Sequence, residues 1–178
     1  NVIADAGSSA QYKLTNSGNI ENGGSAKKIC IGGLFGRNST SYFNMTGTSS
    51  KYSSNSGNIT DNSGPAKSNG GDLSIGGIAG YTTTGIKTQY ARNSGDIYVT
   101  GDKGSTSINV GGIGGWISNA SFNFNNCRNT GNATVDATTT ASIWAAGIVA
   151  CPNPNSTNHY YWRSNATIDT HLATVGGE

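Results

Sequence analysis

Asn93-Ser94-Gly95-Asp96-Ile97 has close copies at Asn16-Ser17-Gly18-Asn19-Ile20, Asn55-Ser56-Gly57-Asn58-Ile59 and Asn129-Thr130-Gly131-Asn132-Ala133. The copies are 39, 38 and 36 residues apart along the chain. A shortened copy, Ser164-Asn165-Ala166-Thr167-Ile168-Asp169, echoes Asn132-Ala133-Thr134-Val135-Asp136. A fixed period of this length marks a repeat architecture, in which each unit stacks on its neighbours.

A second element follows each box. It reads Ile31-Gly32-Gly33-Leu34-Phe35-Gly36, Ile75-Gly76-Gly77-Ile78-Ala79-Gly80, Val110-Gly111-Gly112-Ile113-Gly114-Gly115 and Ala145-Ala146-Gly147-Ile148-Val149-Ala150. Polar stretches with aromatics close each unit, and Tyr90-Ala91-Arg92-Asn93 aligns with Asn126-Cys127-Arg128-Asn129. Apolar residues alternate around the glycine pairs, as in Ile29, Ile31 and Ile108, Val110, while no stretch holds a 3.6-residue period. The chain is therefore expected to be all-β, a parallel β-solenoid (β-helix) of about four coils with three short strands each. Gly and Asn serve the sharp corners, and equivalent Asn side chains stack as amide ladders. A four-bladed propeller would need four strands in a longer unit, and a sandwich would not need the same glycine element in every unit. The expected units are roughly 16–54, 55–92, 93–128 and 129–163, with 164–178 as a partial coil or cap of one 1–178 domain. Ala145-Ala146-Gly147 lacks the first glycine of the pair, which predicts an irregular last coil.

Composition agrees. Of 178 residues, 27 are Gly, 22 Asn, 22 Ser and 20 Thr, together 91. Fifteen Ile and six Val stand against four Leu and two Glu, a balance that favours strands over helices. Charged residues are 11%, against roughly 25% in ordinary soluble domains. The net charge of +2 argues against nucleic acid as a partner. No apolar run approaches the length of a transmembrane segment. The opening residues carry no charged and apolar leader pattern, which is read as a processed chain or an excised piece.

Gly32-Gly33-Leu34-Phe35-Gly36-Arg37-Asn38 resembles the Gly-Gly-Leu-Val-Gly-x-Asn pattern of GLUG-motif repeats, and Gly76-Gly77-Ile78-Ala79-Gly80-Tyr81 is a looser copy. The resemblance covers about residues 12–170. It implies a secreted or cell-surface protein, adhesins among them, and brings no catalytic motif.

Chemistry-bearing residues are sparse. Asp96, Asp136 and Asp169 hold similar places in their units, which suits either a carboxylate column on one face or three separate turn residues. Arg92, Arg128 and Arg163 form a possible column that either binds an oxyanion or pairs with Asp96 and Asp136. Cys127 and Cys151 are a candidate disulfide, with burial as small apolar residues as the other reading, and Cys30 is expected to be buried. His159 and His171 lack partners at metal-ligand spacing. Tyr160, Tyr161 and Trp162 are candidate contacts for a partner or a glycan, or parts of a cap. Seven Asn-x-Ser/Thr sequons occur, from Asn38 to Asn165. The threonine runs Thr82–Thr84 and Thr138–Thr140 raise an ordered-surface (ice-type) reading.

The expectation is a non-enzymatic extracellular or cell-surface structural or adhesion repeat without cofactor or metal. It would contact further copies, adjacent domains or surface glycans and proteins, and could belong to a fibre. The alternative is a carbohydrate-binding or carbohydrate-cleaving β-helix.

Overall fold

The computed structural model describes residues 14–24, 26, 28–38, 43–45, 48, 50–65, 72–83, 86–117, 123–152, 159–160, 163–164 and 168–170. Among these, every regular element is a strand and every pairing is parallel. Strands one period apart lie side by side. Thr15 pairs with Ser54, Ser54 with Arg92, Arg92 with Arg128, and Arg128 with Arg163, offsets of 39, 38, 36 and 35 residues. The chain is thus a parallel β-solenoid with four successive coils and the start of a fifth.

Each coil holds five strand segments where three were expected. In the third coil they are Arg92–Asn93, Ile97–Asp102, Ser107–Gly111, Gly114–Ile117 and Asn123–Asn125. Stacking them gives five sheets, here called the box sheet, the first core sheet, the second core sheet, the glycine sheet and the aromatic sheet. Two local facts account for the extra segments. The box segment is only two residues long, so its composition reads as a turn. The glycine pair then folds one apparent strand into two.

That fold-over explains the glycines. A Cβ on Gly111 would lie 1.9 Å from the Gly114 carbonyl oxygen and 2.9 Å from the Ala150 nitrogen of the next coil. A Cβ on Gly112 would lie 2.1 Å from Asn129 Nδ2. The glycine sheet then lies against the second core sheet of the preceding coil, and a Cβ on Gly115 would come within 2.7 Å of the Ile75 nitrogen. Real Cβ atoms do not reach such distances, so close backbone approach sets residue choice here. Ala146 takes the first glycine position in the fourth coil without disturbing it. The register runs on from Ile108↔Ile143 to Gly111↔Ala146, and Gly112 N–H bonds the Ala146 carbonyl at 3.1 Å. The expected irregularity is absent there.

Two apolar columns fill the interior. One joins the two core sheets through Ile59, Leu73, Ile75, Ile97, Val99, Ile108, Val110 and Val135. The other runs behind the glycine sheet through Ile78, Ile113, Ile117, Ala91 and Cys127. Each isoleucine fully removed from water contributes about 1.5–3 kcal/mol. Tyr90 and Asn126 turn the chain from the aromatic sheet into the box with φ of 56° and 53°. Asn tolerates this left-handed conformation; Tyr does so at greater cost.

Candidate functional site

The box is bonded from coil to coil along the stack, and its four positions have different tasks. At the first position the amides form a continuous ladder. Asn16 Nδ2 donates to Asn55 Oδ1 at 2.8 Å, Asn55 Nδ2 to Asn93 Oδ1 at 2.9 Å, and Asn93 Nδ2 to Asn129 Oδ1 at 2.8 Å. Each of these Nδ2 atoms also donates to the carbonyl of the glycine two residues on, at 2.9–3.0 Å. Asn55, Asn93 and Asn129 are all at most 2% exposed. The third position stacks glycine on glycine, and a Cβ on Gly57, Gly95 or Gly131 would lie 2.0 Å from the preceding glycine's oxygen. The fourth position needs only an acceptor. Asn19 Oδ1 takes the Asn58 N–H at 3.0 Å, Asn58 Oδ1 the Asp96 N–H at 3.0 Å, and Asp96 Oδ1 the Asn132 N–H at 2.8 Å. That is why an aspartate can stand there and not at the first position.

The second position, Ser56, Ser94 and Thr130, points outward with Ser54, Arg92 and Arg128, two residues earlier on each strand. Together with Tyr52 and Asn93 they line a groove of about 380 Å³. Arg92, Arg128 and Arg163 share one register position, so the expected arginine column is present along the backbone. The Arg92 guanidinium lies 3.7 Å from the Tyr52 ring centroid, and Arg128 is exposed. Ion pairs among the described side chains include Lys28–Asp72 and Lys103–Asp61.

The carboxylate column does not form. Asp96 sits in the box turn opposite Asn58 and Asn132, Asp136 pairs with Thr100, and Asp169 pairs with Thr134. Three different register rows separate them, because the spacing between box and aspartate varies from unit to unit. Asp96 behaves as the turn reading expects.

Sequence reasoning missed a buried charge cluster. Lys103 is 1% exposed and Asp61 0%. Lys103 Nζ donates to Asp61 Oδ2 at 2.7 Å and to the Ser63 carbonyl at 2.5 Å. Asn22 Nδ2 and Ser63 Oγ donate to the same carboxylate at 2.6 and 2.9 Å. The cluster ties three coils together at the corner between the core sheets. Asp102-Lys103-Gly104 reads as an ordinary surface turn, and nothing in the sequence couples it to Asp61 forty-two residues back.

A second surface group lies on the glycine sheet, where Arg37, Tyr81, Trp116 and Cys151 share a register row. The Tyr81 and Trp116 ring centroids are 6.1 Å apart, and Lys28 Nζ sits 3.8 Å from the Tyr81 centroid while bonded to Asp72 at 3.0 Å. Partial burial alone would lower the Lys28 pKa; Asp72 and Tyr81 outweigh it and raise it.

Cys127 is a free thiol, 1% exposed and stacked near Ala91, so it behaves as a small core residue. Burial pushes its pKa up to about 12. Cys151 lies on Val149–Pro152, where the side chain falls outside the described residues. Cys30 is half-buried rather than buried, because it faces away from Ile29 and Ile31; desolvation raises its pKa. Tyr160 falls on the strand His159–Tyr160 of the aromatic sheet, while its side chain, Tyr161, Trp162 and His171 lie outside the described residues. Thr139 and Thr140 bond the preceding coil's turn carbonyls at 2.7–3.2 Å, which uses their hydroxyls internally rather than in a surface array. Among the described residues no group of three His, Cys, Asp or Glu could hold a metal ion, and no helix is long and apolar enough to cross a membrane. A scan against family models, a search of curated proteins and a search of solved structures each found no match to the chain.

Proposed function

We propose that this chain is a non-enzymatic structural and adhesive module of an extracellular or cell-surface protein, a rigid stack that spaces or presents a binding face. One observation carries the reading: the polar side chains best placed for chemistry are spent bonding coil to coil. The asparagine ladder, the fourth-position acceptors and the Lys103 cluster each join one period to the next. Such a module extends by adding coils, so further copies or adjacent domains continuing the stack suit it as partners. The GLUG-like Gly32–Asn38 stretch supports placement at a surface.

The test pairs two measurements on the purified chain. Circular dichroism should show a β-rich chain that melts cooperatively, and incubation with a panel of neutral and acidic polysaccharides should release no reducing ends. Time-dependent release that survives repurification overturns the non-enzymatic reading and favours the polysaccharide-cleaving alternative.

A further inference from the structure

We propose that the open edge of the first coil binds the far end of a second copy of this chain, so that copies add head to tail along the stacking axis. The inference deepens the stacking part of the proposed function by naming the partner and the face, and it rests on that reading.

The first coil keeps groups that a preceding coil would use. Gly57, Gly95 and Gly131 must be glycine, because a Cβ would lie 2.0 Å from the oxygen of the glycine one coil before. Gly18 holds the same box position, yet a Cβ there meets only Asn16 Oδ1 at 3.7 Å, an ordinary contact. Nor does Gly18 take a positive φ, the other reason for a glycine. A carbonyl from another coil, set over Gly18, accounts for it. The bonding rows stop at the same place. Asn55, Asn93 and Asn129 each accept an Nδ2 donor from the coil before, whereas among the described residues Asn16 Oδ1 takes the Gly18 N–H of its own turn at 3.2 Å. The N–H groups of Asn58, Asp96 and Asn132 bond a side chain of the preceding coil, and no described residue does this for Asn19. The core is open there too. Ile29 and Ile31 are 7% and 8% exposed, against 0% for Leu73 and Ile75 behind them. A groove of about 540 Å³ lies beside them, lined also by Ile20 and Lys28.

A second copy fits because its far end continues the same rows. Arg163–Ser164 is the outermost strand of the box sheet and Ile168–Thr170 of the first core sheet. Setting Thr15–Asn16 of one copy on Arg163–Ser164 of the other repeats the parallel register that joins coil to coil, and it brings Ile20 beside Ile168. An unpaired strand edge is a template for such an addition. The joint is heterologous, so its repetition builds an open filament. It also carries one unfavourable contact. Glu21 and Asp169 stand at opposite ends of a single row that runs through Thr60, Tyr98 and Thr134. Joining the ends places these two acidic residues on adjacent strands, about 4.8 Å apart, which weakens the joint and makes it respond to charge.

The experiment follows the purified chain by sedimentation velocity from micromolar to millimolar concentration. The parent should form a concentration-dependent series of oligomers, seen by electron microscopy as filaments one solenoid wide. Gly18→Ala should leave the melting curve of the dilute chain unchanged, since its methyl has room, and weaken association about tenfold or more. Glu21→Gln, at an exposed position, should tighten association about threefold. Gly64→Ala, where a Cβ meets nothing, should leave it unchanged. A chain that stays monomeric throughout, a Gly18→Ala variant that associates like the parent, or a Glu21→Gln variant that associates more weakly would overturn the joint. So would a Gly18→Ala variant that melts lower when dilute, because another part of the same chain then already covers the edge. A cooperative β-rich monomer that cleaves no polysaccharide refutes this inference alone, whereas release of reducing ends by an assembling chain refutes the non-enzymatic reading alone.

Discussion

The same substitution, asparagine to aspartate, should have opposite consequences at the first and fourth positions of the box. Asn93 is 2% exposed and uses its amide in full. It accepts from Asn55 and donates to Asn129 Oδ1 and to the Gly95 carbonyl. Asn93→Asp keeps the acceptor and loses both donors. The new carboxylate would face two buried oxygens, so it must either stay charged without a partner or be protonated. Each buried polar group left unmatched costs about 1–3 kcal/mol. The orphaned Gly95 carbonyl, the lost ladder bond to Asn129 Oδ1 (which keeps the Gly131 N–H at 3.2 Å) and the buried carboxyl together give about 4 kcal/mol. Asn58 has only to accept the Asp96 N–H, and it is exposed. The next coil already uses Asp96 in that role toward Asn132. Asn58→Asp should therefore change stability by less than about 0.5 kcal/mol, the range of ordinary surface changes. Urea unfolding followed by circular dichroism reads both. For a chain of this length 1 kcal/mol corresponds to about 2–4 °C, so the Asn93 variant should melt about 10 °C lower. Equal effects at the two positions, or an Asn93→Asp variant within 1 kcal/mol of the parent, would refute the division of labour between ladder and acceptor rows.

Other perturbations test the remaining contacts. Gly95→Ala drives a methyl to 2.0 Å from the Gly57 oxygen and should prevent native stacking, whereas Gly64→Ala meets nothing within 4 Å and should be neutral or raise the melting temperature slightly. Lys103→Met leaves the Asp61 carboxylate buried without its cation and should cost about 3–5 kcal/mol in urea unfolding; a loss below 1 kcal/mol would show that the other donors suffice. Cys127 should resist a disulfide-exchange reagent at pH 8 in the native state and react once urea unfolds the chain. Because burial raises its folded pKa from 9.0 to about 12, the unfolded state releases its proton first. Its contribution is complete below about pH 9 and is lost as pH rises toward about 12, a slope that Cys127→Ala should remove.

Repeats made the coil legible before any coordinate was known. Ile31, Ile75, Val110 and Ala145 align in sequence and stand in register in space. Local pattern did not show the number of strands, because a two-residue segment such as Ser54–Asn55 pairs without any alternation long enough to detect. Contacts between coils were legible only where the repeat keeps them equivalent. The asparagine ladder belongs to that class. The Lys103–Asp61 cluster does not, since it joins unlike positions and occurs in one place. The aspartates misled for the converse reason: Asp96, Asp136 and Asp169 stand three, seven and five residues past the first box position, so they fall on different rows.

The box shows how one short motif divides into a constrained inward row and a more variable outward row. Adjacent residues on a strand face opposite ways, so Asn93 turns inward to the ladder while Arg92 and Ser94 turn outward. The inward row is constrained by donor count and by the 2.0 Å glycine contact, which leaves little room for change. The outward row varies more: its first member is Ser54 in one coil and Arg92 or Arg128 in the next two. Arg128→Gln, at an exposed outward position, should therefore change stability by less than about 0.5 kcal/mol. Asn129→Asp, on the inward row, removes the donor that bonds the Gly131 carbonyl and buries a carboxyl, and should cost about 2 kcal/mol or more in urea unfolding. Equal losses at the two neighbouring positions would refute the division between the rows.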